Sequence, residues 1–202
     1  MPSLPLRGSA KTPSLPRLPL PAAQAIVDCG IYVNGERLHG RWTHSAALAE
    51  VRRRVREVAL RDVAPVADRI ARGDERLDGF PRDVFDRLAT AGIYRIPFAA
   101  DVGGDGLAHP ATAMATAVEE LAYFSNSVAA IFDVHCILAG NAVNQGTPEQ
   151  RRRWLAPVVA GEIVGAFATS EPAASSDLSP EAVRTVAHRR GDGWVLNGRK
   201  RW

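Results

Sequence analysis

The spacing of apolar residues changes near residue 160, and this change constrains the fold more than any other feature of the chain. Before that point apolar residues recur every three or four positions, which is typical of amphipathic helices. Beyond it they alternate in short runs that predict strands at 163–169, 183–188 and 194–197. Helices followed by strands predict an α+β fold: an N-terminal all-α helical bundle, then the opening strands of an incomplete β domain.

Start and stop signals place the first two helices. Ser45 has the residue type of a helix cap, and Pro65 is expected to end or kink the helix that follows it. A second helix is predicted to start near Pro81 and to stop at Gly92, with proline at the start and glycine past the end.

Two long helices are predicted at about 110–123 and 128–145. Thr147 and Gln150 then have the spacing of a capping box, which opens a short helix expected to end before Pro157. The two long helices each carry an apolar stripe predicted to face the core: Met114, Ala117, Val118 and Leu121 on one, and Val128, Ile131, Val134, Leu138 and Ala142 on the other.

The N-terminal part has a different composition. Residues 1–22 contain six prolines, three basic residues and no acidic residue, which predicts a disordered tail. Residues 23–44 are consistent with a β-hairpin that turns at Asn34-Gly35. The predicted domains are therefore 1–22, 23–44, a helical domain at 45–160 and a truncated β domain at 161–202.

Residues 161–177, here called the signature segment, run GEIVGAFATSEPAASSD. A short apolar run leads into Thr169 and Ser170, and Ser175, Ser176 and Asp177 follow after a proline. A strand that ends in so many hydroxyl groups is suited to a polar cofactor.

This segment resembles the signature of flavin-dependent acyl-CoA dehydrogenases: a small residue, Thr or Ser, Glu-Pro, two small residues, then Gly-Ser-Asp. Ser175 stands where that family has Gly. Residues 96–107, 133–162 and 191–202 resemble further family segments in the right order, so the resemblance extends over about 55–202.

The resemblance implies an FAD cofactor and its contacts. It assigns cofactor binding to Phe167, Thr169, Ser170, Ser175, Ser176 and Trp202. The Ser170 hydroxyl is expected at the flavin ring, Ser176 near the pyrophosphate and the acyl-CoA substrate, and Trp202 beside the isoalloxazine. The family does not use the glutamate of this motif as its base, so neither Glu171 nor any other residue is predicted to be catalytic.

The resemblance also implies α,β-dehydrogenation of acyl-CoA thioesters, electron-transfer flavoprotein as a partner and a homo-oligomer for the full-length family. The family's later domains supply the catalytic glutamate and much of the FAD site. The 202-residue chain is therefore expected to be a fragment that is inactive alone and binds FAD weakly or not at all.

Two other functions remain open. The chain could be a non-catalytic helical module that binds a partner through apolar surface. Alternatively, residues 22–56, with a Val-Asp-Cys-x-x-Tyr-Val segment and an Ala-Ala-Leu-x-x-Val-Arg helix, resemble the N-terminus of CorA-type magnesium transporters, which implies a regulatory domain.

Composition excludes several classes of function. A net charge of +3 with interleaved acidic residues does not indicate nucleic-acid binding. Two cysteines make neither a disulfide framework nor a zinc site and favour the cytoplasm. Asp133 and His135 interrupt the most apolar helix, so no membrane span is predicted. His135 itself is expected to make a helix contact, since no carboxylate or metal-ligand spacing accompanies it.

Overall fold

The structure is a computed structural model that describes residues 45–73 and 79–201. The predicted tail, the predicted N-terminal hairpin and Trp202 lie outside the described residues, so these predictions remain open. The domain boundaries proposed from the sequence also stay predictions.

The described residues between 46 and 160 are mainly helical, as the sequence predicts. The helices are α1 Ala46–Val58, α2 Ala67–Arg72, α3 Arg82–Thr90, α4 Pro110–Phe124, α5 Asn126–Asp133, α6 Asn141–Asn144, α7 Pro148–Gln150 and α8 Ala156–Ala160. Wide π-helical turns join some of them without a break, at Ala59–Val63, Val134–Gly140 and Arg151–Leu155.

Three of the predicted start and stop signals act as expected: Pro65, the pair Pro81 and Gly92, and the pair Thr147 and Gln150. A short 3₁₀ turn at Ala64–Val66 contains Pro65 and separates α1 from α2. Helix α3 begins after Pro81, and Gly92 follows it in the left-handed conformation with φ 70°. Thr147 and Gln150 form both hydrogen bonds of the capping box.

Pro157 does not end the last helix, contrary to the prediction. Helix α8 contains Pro157 and continues to Ala160. The wide turn Arg151–Leu155 lies immediately before it. Its i→i+5 hydrogen bonding leaves more room for the proline ring than a regular α-helical turn does.

The apolar core belongs to the helical part. Within the described residues, every buried apolar side chain lies between Leu48 and Val159. At its centre Tyr94 packs against Phe85 and Phe132, with ring centroids 4.7 Å and 6.2 Å away. Tyr94 donates its hydroxyl to the carbonyl of Phe85 at 3.3 Å, so the buried phenol is satisfied.

The stripe predicted for the helix at 126–144 is offset by about one residue. Val128 is buried as expected, but Leu138 and Ala142 are exposed. The buried face instead carries Val128, Ala129, Phe132, His135, Cys136, Ala139 and Gly140. This helix is apolar on two sides, and the core selects the side with small residues: a Cβ on Gly140 would lie 2.6 Å from the Phe98 ring.

One buried carboxylate ties α1 to α4. Glu120 is fully buried and accepts from Arg52 Nε at 3.1 Å and from Arg56 Nε at 2.9 Å. Two guanidinium groups compensate a carboxylate that would otherwise be costly to bury. The contact fixes the register of the two helices.

Two strands follow the helices, which confirms the predicted α+β class. Strand β1 is Val186–Arg190 and strand β2 is Gly193–Asn197, and they pair antiparallel with Val186 opposite Asn197. Residues 163–169, predicted as a strand, form no strand. Within the described chain no strand lies beside them to complete a backbone ladder, and a strand needs such a partner.

Candidate functional site

The signature segment leaves the helical part through a tightly packed glycine. Gly161 follows α8 with φ 72°, and a Cβ at this position would lie 2.4 Å from the Cβ of Ala89. Only glycine combines this backbone conformation with so close an approach to α3. The direction in which the segment starts is therefore fixed by packing.

His135 holds the segment four residues later. Its Nδ1 accepts the backbone N–H of Gly165 at 2.9 Å, and its Nε2 lies 2.9 Å from the carbonyl oxygen of Val158. Because Nδ1 accepts, the proton is on Nε2, which donates to Val158. Burial lowers the pKa of His135, and the bond to Val158 opposes that shift. The neutral ring thus makes the helix contact predicted from the sequence.

The middle of the segment folds into a tight turn. Glu171 and Ser175 exchange two backbone hydrogen bonds, N–H to carbonyl, at 3.0 Å and 2.8 Å. Ser175 adopts φ 53°, in the left-handed region that L-residues other than glycine seldom occupy. Ser175 therefore occupies a backbone conformation that glycine adopts without steric cost.

The Glu171 side chain joins three parts of the chain. Its carboxylate accepts the N–H groups of Arg184 at 2.7 Å and Thr185 at 3.0 Å and the ammonium of Lys200 at 2.9 Å. The residue is only 3% exposed. Contacts with Thr185, then Lys200, then the Arg184 amide lower the pKa of Glu171 to about 2. A carboxylate so stabilised is a poor proton acceptor at neutral pH.

The predicted cofactor residues lie along one short stretch. Thr169 and Ser170 are half-buried, Ser176 is exposed, and Phe167 is 42% exposed. Arg201 donates its N–H to the carbonyl of Ser170 at 2.9 Å, so the described chain returns to this stretch at its end. Trp202 itself lies outside the described residues.

The donor groups present fit a flavin. Among the described residues, no protein group forms a hydrogen bond with the hydroxyls of Thr169, Ser170 or Ser176, so these donors remain available to a ligand. Hydroxyls can donate to flavin heteroatoms and phosphate oxygens without adding negative charge. In the described ranges no group of three or more metal-ligating side chains occurs.

Sequence reasoning missed the residues that support the segment. Arg184, Thr185 and Lys200 contact Glu171 across 13, 14 and 29 residues, a distance no local pattern reveals. Gly165 did carry a signal, because a glycine inside an apolar run often marks a close backbone approach. A Cβ there would lie 2.7 Å from Ala139 Cβ and 3.3 Å from His135 Nδ1.

The helix that carries His135 has an unusual composition. Residues Asn126–Asn144 are long and apolar enough, with a mean hydropathy of 1.3, to cross a membrane by those criteria alone. Phe132, His135 and Cys136 on this helix are nevertheless buried in the core of the helical part. Core helices of folded domains commonly meet the same criteria.

Comparison with known proteins identifies the family. Residues 45–162 match the family model described as "Acyl-CoA dehydrogenase, N-terminal domain". The chain belongs to the acyl-CoA dehydrogenase family. The short-chain specific acyl-CoA dehydrogenase of Clostridium acetobutylicum is 34% identical over 151 residues, which cover 74% of this chain and 38% of that protein.

Solved structures of acyl-CoA dehydrogenases agree in fold. Glutaryl-CoA dehydrogenase from Mycobacterium smegmatis superposes with a TM-score of 0.67 at 31% identity, covering 79% of this chain and 39% of that one. An acyl-CoA dehydrogenase complexed with FAD from Bacillus anthracis has a TM-score of 0.64 at 22% identity, and the match covers 79% of this chain and 26% of that one. At this identity the likeness shows the fold alone. The chain thus spans about two fifths or less of the length of these proteins.

Proposed function

We propose that this chain supplies the helical part and the flavin-contacting segment of an enzyme that dehydrogenates acyl-CoA thioesters at the α,β bond. The observation that supports it is the turn in the signature segment, where Glu171 and Ser175 pair and uncommitted hydroxyls flank them. Family membership supports the acyl-CoA substrate and the FAD cofactor.

The residues have distinct roles in this proposal. Bound FAD would supply the acceptor for the hydride that leaves the β-carbon. Ser170 donates a hydrogen bond to the flavin ring, Thr169 and Phe167 line the same face, and Ser176 lies near the pyrophosphate and the acyl-CoA. Trp202 packs beside the isoalloxazine.

Ser175 contributes through its backbone. Its left-handed conformation turns the chain so that Ser176 follows directly after the turn. Its side chain occupies space that glycine would leave open in the family. Ser175 is therefore proposed to contact the cofactor less closely than the glycine found in other family members.

The chain is proposed to be inactive by itself. Lys200 and two backbone amides hold Glu171 as a carboxylate, which leaves this residue no role as a base. Losing a positioned base costs on the order of a hundred- to ten-thousand-fold in rate. The base and the electron-transfer flavoprotein surface are proposed to come from elsewhere in the assembled enzyme, a homo-oligomer located in the cytoplasm.

Titration of the 202-residue protein with FAD tests the cofactor assignment, with flavin fluorescence as the readout. We expect weak but saturable binding, because Phe167 and Ser176 are exposed on an open surface. Ser170→Ala should weaken FAD binding about two- to tenfold, which is the effect of losing one neutral hydrogen bond. Ser127→Ala, an exposed hydroxyl on α5, is the matched control. Equal affinities for the two variants would contradict the assignment.

A partner-binding module remains the second candidate. Trp194 and Leu196 on β2 are 68% and 73% exposed, more than a strand facing a core would be. If this function is correct, FAD should show no saturable binding and Ser170→Ala should have no effect on any measured association. The CorA-like alternative depends on residues 22–56, most of which lie outside the described ranges.

A further inference from the structure

Residues 166–168 of the signature segment have little support of their own. Among the described residues, no backbone hydrogen bond involves residues 166–168. The nearest anchors are Gly165 on one side, bound to His135, and Thr169 and Ser170 on the other, whose carbonyls accept from Lys200 Nζ at 3.1 Å and from the Arg201 N–H at 2.9 Å. Only three residues lie between these anchored positions. Their placement depends on the two anchors.

The anchor at Gly165 is built for close contact. The backbone N–H reaches Nδ1 at 2.9 Å, and the absence of a side chain at Gly165 admits Ala139 and the His135 carbonyl to within contact distance. The imidazole is held edge-on by Tyr94 and Phe85, with centroids 4.5 Å and 5.0 Å away. Nε2 is held by Val158. The ring therefore cannot turn without breaking several contacts.

We propose that His135 is a positioning residue: through Nδ1 it fixes Gly165, and it thereby sets the conformation of residues 166–168 and supports the approach of the chain to Thr169 and Ser170. The importance of this for catalysis rests on the proposed function, because Phe167, Thr169 and Ser170 are its proposed flavin contacts. His135 itself touches no proposed ligand. It acts on the site only through the backbone of Gly165.

Two substitutions separate the two hydrogen bonds of the ring. In His135→Asn, the amide oxygen takes the place of Nδ1 and can still accept from Gly165. In His135→Gln, the longer side chain places its amide near Nε2 and retains the donor to Val158 but no acceptor for Gly165. Both variants lose the ring packing, so a purely structural role for His135 would affect them alike.

Amide hydrogen exchange of the ¹⁵N-labelled 202-residue protein measures the effect. We expect exchange at Gly165 to accelerate about ten- to a hundredfold in His135→Gln and to remain close to wild type in His135→Asn. Amide shifts of residues 166–170 should move with the same pattern. The amide of Ala129, bonded to the carbonyl of Ser125 within the helical part, controls for general loosening. Equal effects of the two variants, or the reverse order, would overturn the proposal.

The wild-type protein provides a second measurement that needs no variant. A scalar coupling between the Gly165 amide nitrogen and Nδ1 of His135, with the ring proton on Nε2, is expected across this hydrogen bond. A ring protonated at Nδ1 would refute the proposal even if neither variant folds. None of these readouts uses FAD, so a failure of flavin binding would count against the proposed function and leave this result intact.

Discussion

At the scale of single residues, Ser175 is the clearest departure from the family pattern. A left-handed conformation costs a residue with a Cβ about 1–2 kcal/mol relative to glycine. Part of this is offset because glycine loses more backbone entropy on ordering. The turn therefore forms with a strain that the family's glycine avoids.

We predict that Ser175→Gly stabilises the turn between Glu171 and Ser175 by about 0.5–1 kcal/mol. Slower hydrogen exchange at the backbone amides of Glu171 and Ser175 would show this stabilisation. Ser176→Gly is the control, because Ser176 has an ordinary negative φ and its replacement should destabilise the turn slightly. Faster exchange at residue 175 in the Ser175→Gly variant would contradict the strain argument.

Glu171 makes the stability of the β-hairpin depend on pH. Its folded pKa of about 2 lies below its ordinary value of 4.5, so its contribution is complete above pH 4.5 and is lost as the pH falls toward 2. Urea unfolding of the β-hairpin between pH 5 and 2 should show this loss in the wild type and a flatter profile in Glu171→Gln. Glu181→Gln, an exposed acid nearby, should keep the wild-type slope. Parallel pH profiles for the wild type and Glu171→Gln would refute this role of Glu171.

At the scale of elements, the junction between α8 and the signature segment is the most sensitive point. Gly161→Ala combines a positive φ with a Cβ 2.4 Å from Ala89 Cβ, and we expect a loss of at least about 2 kcal/mol. Gly103→Ala, where φ is 85° and no atom lies within 4 Å, should lose only about 1 kcal/mol. Urea unfolding followed by circular dichroism at 222 nm distinguishes them. Similar losses would mean that backbone conformation alone matters.

The sequence predicted those elements whose signals are local. Pro81 and Gly92 bound α3, and Thr147 with Gln150 caps α7, because each signal acts within a few residues. Which face of the helix at 126–144 is buried could not be predicted, since two faces are apolar and packing against Phe98 decides between them.

The candidate site was predictable only in part. The motif located the hydroxyl groups and predicted that Glu171 is not the base, which stays a prediction. The contact of Glu171 with Lys200 spans 29 residues, and the contact of Gly165 with His135 spans 30. Neither contact was predicted from the sequence. Contacts at such separations arise from the tertiary fold, which single-sequence patterns do not encode.

At the scale of the molecule, stability is unevenly distributed. The helical part holds every buried apolar side chain of the described ranges, and all residues of β1 and β2 are exposed. An isolated two-stranded hairpin is at best marginally stable in water. The hairpin is therefore supported by contacts of the chain on either side of it with Glu171, and by the bonds from Lys200 and Arg201 to the carbonyls of Thr169 and Ser170.

We predict that amides of the hairpin exchange at least about a hundredfold faster than core amides of α4, with the hairpin opening while the helices stay folded. Mass spectrometry of exchanged peptides separates the two regions. Glu171→Gln should accelerate exchange in β1 and β2 without changing α4. Uniform protection along the chain would show that the two regions unfold together.

The spacing of the contacts around Glu171 has a consequence for folding order. Its backbone pairing with Ser175 closes a loop of only a few residues, Arg184 closes one of 13, and Lys200 closes one of 29. The entropic cost of closing a loop grows with its length. We therefore expect the turn to form first and the Lys200 ammonium to pair with Glu171 last. On the ribosome, Glu171 is made about 29 residues before its cation, and it remains a hydrated, unpaired charge until that part of the chain has emerged.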